Sequence, residues 1–438
     1  MRLAYEGTVE GMTPEDRERV VDRLPADPAS LSRDVTGLIQ EVRDQGDRAL
    51  RRMARELDGV ELQELEVPKA RWIEAREALA EPVRRELERS ARNIEAFHRA
   101  QLPDDVEVET EPGVRLGRRS VPIPAVGVYA PGGRAAYPSS VLMGVVPARA
   151  AGVNEIIVCS PPGPSGEPPP EVLAACSIAG ATRLFSLGGA GAVAALVYGT
   201  DSVPRVDAVV GPGNQWVTEA KRQVAGQIRI DSPAGPSEVL VVAGPDADPP
   251  RVALELVAQA EHDPDAAVAA VCWNDETLDR IRTALAEEVQ KAPRRSVVEE
   301  ALARRGALLL ASSRDEALSF SREYAAEHLV LFTPTPREDL EGQTTAGTIF
   351  LGGPSSVAFG DYMTGANHVL PTAGRSRSFS SLSVLDFLRF FTWQELSADG
   401  AARLAEGTGL LADAEGLPGH ARAARDRERP ATRARTSR

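Results

Sequence analysis

Histidine and cysteine are scarce in this chain, with five and three among 438 residues. Cys159, Cys176 and Cys272 are widely spaced and form no C-x-x-C, which argues against a disulfide framework and a thiolate metal site. Two of them sit in "EIIVCS" and "VAAVCW", where a small buried hydrophobe is the expected role. Aromatics are only 5%, so the cores must be built from Ala, Val and Leu. No run approaches the roughly 18 apolar residues of a membrane span, and "MRLAYEGTVEGMTPEDRERV" lacks the apolar stretch of a signal peptide. A cytoplasmic protein with no membrane partner is expected. Basic charge is also short: the net charge of −14 argues against a nucleic-acid partner, which needs clustered Lys and Arg. The end "HARAARDRERPATRARTSR" is locally basic and reads as a solvated tail or an anion-binding arm.

What is present is ample apolar content, 42%, on a length that suits two or more domains. Residues 12–100 read as helices: "TPEDRERVVDRL" offers a Thr N-cap, a following Pro and acids in the first turn. His98 falls among charged neighbours in the last of them and reads as a surface or packing residue. From residue 121 short β-branched runs alternate with Ala-rich helical stretches, as in "PAVGVYAPGG" followed by "SSVLMGVVPARAAG". A second set starts at "EVLVVAG" and runs through "EHLVLFTP". Alternation of this kind predicts right-handed βαβ crossovers and parallel sheets. The fold class expected is α/β, with two Rossmann-like layers meeting near residue 236, a helical start and a short helical end from about residue 384. The two layers could be structural duplicates.

Candidate chemistry gathers at strand ends and in glycine loops. "GGAGAVA" (188–194), which includes Gly191, has the G-x-G-x-x-A spacing of a dinucleotide turn, or equally the small residues of tight helix–sheet packing. "VVGPGNQ" ends a strand, so its glycines admit a ligand to the backbone and Asn214 offers both donor and acceptor. In "AQAEHDPD", Gln259 and His262 are three apart and share a helix face. "GDYMTGANHVLP" adds Asp361 and His368, "EGLPGHA" adds Glu415 and His420, and "AAEHLVLF" sets Glu327 beside His328 at the mouth of an apolar run. His328 there could simply open a strand. Yet four of the five histidines lie after residue 260, each near a carboxylate or carboxamide. Collectively they fit an ion such as zinc held by imidazole and oxygen donors, with an acid–base pair beside it.

In this order the motifs "YAPGG…AAYPSSVLM", "VGPGNQWVTEAK", "DSPAGPSEVLV", "AQAEHDPDA", "AAEHL", "GDYMTGANHVLPTAG" and "EGLPGHA" resemble histidinol dehydrogenase, from about residue 30 to residue 425. The resemblance implies zinc- and NAD-dependent oxidation of L-histidinol to L-histidine through a bound aldehyde. It implies Gln259, His262, Asp361 and His420 as zinc ligands and Glu327 and His328 as the acid–base pair. Tyr129, Gly191 and Asn214 fall at NAD-contacting positions, and Ser237, His368 and Glu415 line the substrate pocket with the metal ligands and Glu327. Expected with it are an N-terminal segment (1–25), a metal-bearing α/β domain (26–128 with 237–383), an NAD-binding α/β domain (129–236) and a C-terminal arm (384–438). The resemblance implies that this arm packs on the partner of a homodimer with shared active sites.

Three residues depart from the pattern. Gly191 stands where the family usually has Gln, Arg134 replaces a small residue after "PGG", and Ser232 replaces Met in "DSPAGPSE". Arg134 is reminiscent of relatives that oxidise dihydroxypropanesulfonate, whereas Glu415 suits a cationic amine. A related zinc alcohol dehydrogenase and a non-catalytic metal-binding homologue are the alternatives.

Overall fold

The computed structural model describes residues 2–23, 29–132 and 136–428; Arg134 and residues 429–438 lie outside them. The chain divides into two compact units, one of residues 1–101 with 123–387 and one of residues 102–122 with 388–438.

The larger unit holds two all-parallel sheets. One has six strands in the spatial order Tyr5–Thr8, Gly306–Leu310, Ala267–Cys272, Glu238–Ala243, His328–Phe332 and Thr348–Leu351. The other has five: Arg183–Ser186, Glu155–Ser160, Ala125–Tyr129, Ala208–Val210 and Arg229–Ile230. If the added edge strand Tyr5–Thr8 is set aside, both sheets run third, second, first, fourth, fifth in chain order. This is the doubly wound order, so the layers are topological duplicates. Their strands are continuous apolar runs because both faces are covered. Along Glu238–Ala243, for example, Val239 and Val241 enter one core while Leu240 and Val242 enter another.

The helical start is as the sequence reads: Thr13 caps Pro14–Val20 in a reciprocal box with Asp16. Leu31, Val35, Ile39 and Val42 of the helix Ala29–Gln45 pack with Val193, Leu196 and Phe185 of the five-stranded layer. The sequence grouping of 26–128 with 237–383 therefore does not describe this stretch, whose apolar stripe is buried on the other sheet. His98 is a packing residue, buried in the helix Glu81–Arg99. The three cysteines are free and buried.

The smaller unit is a three-stranded antiparallel sheet, Leu388–Leu396, Val114–Pro122 and Val106–Glu111, followed by helices Ala398–Ala414 and Pro418–Arg425. The helical C-terminal end thus begins with a strand, and the N-terminal one contains Tyr5–Thr8. Among the described residues no helix is long and apolar enough to cross a membrane.

Candidate active site

In a doubly wound sheet the crevice opens at the carboxyl ends of the first and fourth strands. In the five-stranded sheet these ends are Tyr129 and the loop after Val210. Gly211 there has φ 114°, and a Cβ on it would lie 2.1 Å from the Tyr129 carbonyl oxygen, so only glycine fits. The loop is pinned from below: Gly211 N donates to Asp231 Oδ2 at 2.7 Å, and Lys221 Nζ donates to Gly211 O at 2.9 Å while pairing with Asp231. Tyr129 is itself buried, and its hydroxyl accepts from Gly189 N at 3.1 Å, steadying the second glycine turn. Burial pushes that phenol up to about 12, so it stays neutral. Asn214 caps the helix Gln215–Val224, its side-chain oxygen accepting from Trp216 N at 3.0 Å and Val217 N at 3.2 Å. The acceptor anticipated from sequence is therefore occupied, and the amide NH2 is the group left to offer. Gly191 is buried in the helix Gly189–Tyr198, and Met53 Sδ lies 2.8 Å from where its Cβ would be. Met53 leads into a π-helical turn, Ala54–Asp58. Ser232 is buried next to Asp231, and nothing in the structure explains serine there.

The six-stranded sheet carries its chemistry at the opposite edge. At its carboxyl-end crevice a Cβ on Gly244 would approach Pro334 within 2.8 Å. Glu238 and His328 instead begin the first and fourth strands, so they meet at the amino ends. The adjacency of Glu327 and His328 is resolved by where the strand starts: His328 is its first residue and Glu327 lies just outside it. Strict strand alternation, which would send neighbours to opposite faces, does not yet apply. Ala325 before them has φ 50°, a conformation that costs a non-glycine residue about 1–2 kcal/mol.

Both side chains are buried and held by one backbone. Glu238 N donates to Glu327 Oε2 at 2.6 Å, and His328 Nδ1 lies 2.9 Å from Glu238 O. A carbonyl oxygen only accepts, so Nδ1 carries a proton and Nε2 is the nitrogen at which the ring gains or loses its second. Nε2 is buried without a hydrogen-bond partner, 3.6 Å from Asp361 Oδ1, and Glu327 Oε2 is 3.3 Å from Nδ1. Burial opposes a charge on His328, but the carboxylates of Glu327 and Asp361 on its two sides override it and raise its pKa well above the usual value. Burial would raise Asp361, yet His328 and the neighbouring imidazoles hold it below its usual range. Burial raises Glu327 against the pull of His328.

Two further imidazoles join this field. His368 Nδ1 donates to the Asp361 carbonyl at 2.9 Å, which leaves its Nε2 available, and burial lowers its pKa against Asp361. His262 stands at the solvent-exposed rim, just past the helix Pro249–Ala260, where the protein around it lowers its pKa, again against Asp361. Gln259, in the last turn of that helix, is 2% exposed, and its amide nitrogen has no partner. Ser237 is half-buried next to Glu238. Among the described residues no group of three or more His, Cys, Asp or Glu forms a ready metal cage. The larger unit offers His262 and Asp361 plus the Gln259 amide. Glu415 and His420 are solvent-exposed in the smaller unit.

The family model described as histidinol dehydrogenase matches residues 22–428. The chain belongs to the histidinol dehydrogenase family. Relatives include the histidinol dehydrogenase of Methanothermobacter thermautotrophicus, 45% identical over 411 residues, which are 94% of this chain and 96% of that protein. The histidinol dehydrogenase of Halobacterium salinarum is 46% identical over 420 residues, 96% of this chain and 98% of that one. A crystal structure of histidinol dehydrogenase from Elizabethkingia anophelis matches with a TM-score of 0.93 at 31% identity, covering 98% of this chain and 99% of that chain. The histidinol dehydrogenase likeness thus spans both units. Arg23, Glu238, Lys221 and Asp231 escaped the sequence reading. The available signal was an acid opening the otherwise apolar strand "EVLVVA" and the opposite charges Lys221 and Asp231 following a glycine loop.

Proposed function

We propose that this chain, an NAD-dependent oxidoreductase, oxidises L-histidinol to L-histidine in two hydride transfers at one site. The observation that carries the reading is His328: its Nδ1–H is committed to Glu238 O, and its buried Nε2 faces Asp361 with no partner. An imidazole so fixed takes the proton of a substrate hydroxyl at Nε2. A ligand that engages Asp361 removes one of the two carboxylate fields that keep the ring charged. Glu327, locked by Glu238 N, activates the water that turns the aldehyde into its hydrate, and His328 serves again in the second oxidation. Atoms balance: alcohol and water give the acid, two hydrides leave with the cofactor, and the protons pass to these side chains.

Gln259, through its amide oxygen, His262 and Asp361 would hold zinc, with His420 completing the set, and the open His262 fits that role. When bound, zinc supplies Lewis acidity that polarises the substrate hydroxyl. Tyr129, Gly191 and Asn214 would hold NAD, which when bound supplies the hydride acceptor. Ser237, His368 and Glu415 meet the substrate, Glu415 matching a cationic amine. In the smaller unit Leu410, Leu411 and Leu417 are solvent-exposed at 58%, 71% and 43%. Such an apolar surface suits a second copy of this chain, so that His420 reaches the partner's site.

Two assays test this. NADH formation is followed with histidinol, dihydroxypropanesulfonate and simple amino alcohols; histidinol should be preferred by orders of magnitude in kcat/KM, and a preference for the sulfonate would replace the reading. His262→Ala and His420→Ala homodimers should be nearly inactive, while their heterodimers regain part of the activity. Proven subunit exchange without recovery would exclude the shared site.

A further inference from the structure

Arg23 lies 215 positions from Glu238 in sequence, yet the two form a bidentate pair: Nε to Oε1 at 3.0 Å and Nη2 to Oε2 at 3.0 Å. Their side chains are only 2% and 3% exposed. The same guanidinium donates to Tyr324 O at 2.9 Å and to Val21 O at 2.8 Å, and its carbon sits 3.5 Å from the centre of the Tyr324 ring. Glu238 Oε1 also accepts from Ala373 N at 2.8 Å. Among the described residues only Ala325 and Ala373 are non-glycines with positive φ, at 50° and 55°. Both are tied to this cluster, Ala325 through the preceding Tyr324 carbonyl and Ala373 through its own N–H. Strain of this kind persists only where surrounding contacts over-determine the backbone, and Arg23 and Glu238 are among those contacts. A buried ion pair is a poor source of stability compared with apolar residues of the same shape, so its value here lies in the geometry it imposes.

We propose that Arg23 is a positioning residue for the Glu327–His328 pair. By fixing the Glu238 carboxylate it fixes the Glu238 peptide groups, whose N–H holds Glu327 and whose C=O holds His328. The inference rests on the function proposed above for those two residues. It assigns a role in catalysis to the segment before residue 24, which lies outside the sheet edges that carry the chemistry. The guanidinium fork serves several acceptors at once; a lysine ammonium at this depth lacks the planar fork.

The test compares Arg23→Met and Arg23→Lys with the unaltered enzyme, each in full-length zinc-loaded protein. Displacing the pair by about 1 Å should lower kcat about 10²-fold for Arg23→Met, and less for Arg23→Lys, in oxidation of both histidinol and histidinal. KM for NAD should change less than about twofold, because the glycine loops are untouched. The His328 Nδ1–H, read by proton NMR in ¹⁵N-histidine-labelled protein, should exchange faster with water in both variants. Unchanged kcat per folded molecule in Arg23→Lys, with only the melting temperature lowered, would reduce Arg23 to a structural role. If Arg23→Met does not fold, the Lys variant decides the matter. If the unaltered enzyme does not oxidise histidinol, the functional reading falls, and the NMR exchange rate alone then upholds or overturns the clamp.

Discussion

His328 Nδ1 lies 2.9 Å from the carbonyl oxygen of Glu238, and this one contact fixes which ring nitrogen faces the substrate. A division of labour follows. His328→Ala should slow both oxidations by about 10²–10⁴-fold, since each requires proton removal. Glu327→Gln should spare alcohol oxidation more than aldehyde oxidation, because only the second needs an activated water. Separate assays from histidinol and from histidinal check this, and equal losses in both would remove the role given to Glu327.

Chelation should abolish activity and leave the fold standing. None of the proposed ligands belongs to the apolar cores of the six-stranded sheet, which do not depend on them. Far-ultraviolet circular dichroism should stay unchanged as activity vanishes, with recovery on adding zinc. Loss of the spectrum along with activity would place the ion in the folding core instead.

The Lys221–Asp231 pair holds both the N–H and the C=O of Gly211. Asp231→Asn should therefore loosen the glycine loop and raise KM for NAD about tenfold, the effect of losing roughly 1.4 kcal/mol of binding. KM for histidinol should hardly move. Steady-state kinetics with each substrate varied in turn distinguish the two.

His98 is buried, its Nδ1 accepting from Val384 N at 3.3 Å while Nε2 has no partner. Burial lowers its pKa to about 4 from the ordinary 6.5. The unfolded chain binds the proton first, so the contribution is whole above about pH 6.5 and is lost as pH falls towards 4. The loss approaches about 3 kcal/mol at the lower end. Urea titrations from pH 7 to pH 4 should show a shallower fall in stability for His98→Gln than for the unaltered protein.

Much of this was legible in the sequence because it is local. Alternating apolar runs gave the parallel layers, Thr13 with Asp16 gave a helix start, and His262 and Gln259 share a turn. Glu327 and His328 could be named but not oriented, since their shared direction depends on the strand starting at His328 after a left-handed Ala325. Arg23 was invisible: it pairs across 215 residues, and no periodicity encodes such a contact. The strand Val106–Glu111 was missed because its residues are all exposed and charged every second position, so no buried run marks it. Leu388–Leu396 pairs with Val114–Pro122 far back in the chain and was hidden for the same reason as Arg23.

One site should carry histidinol all the way to histidine. Limiting histidinol with excess NAD and the zinc-loaded enzyme measures it directly, by counting NADH formed and identifying the product. Two NADH per histidinol, with histidine as product and no free histidinal, is the expected result. One NADH with histidinal accumulating, or none, would contradict it.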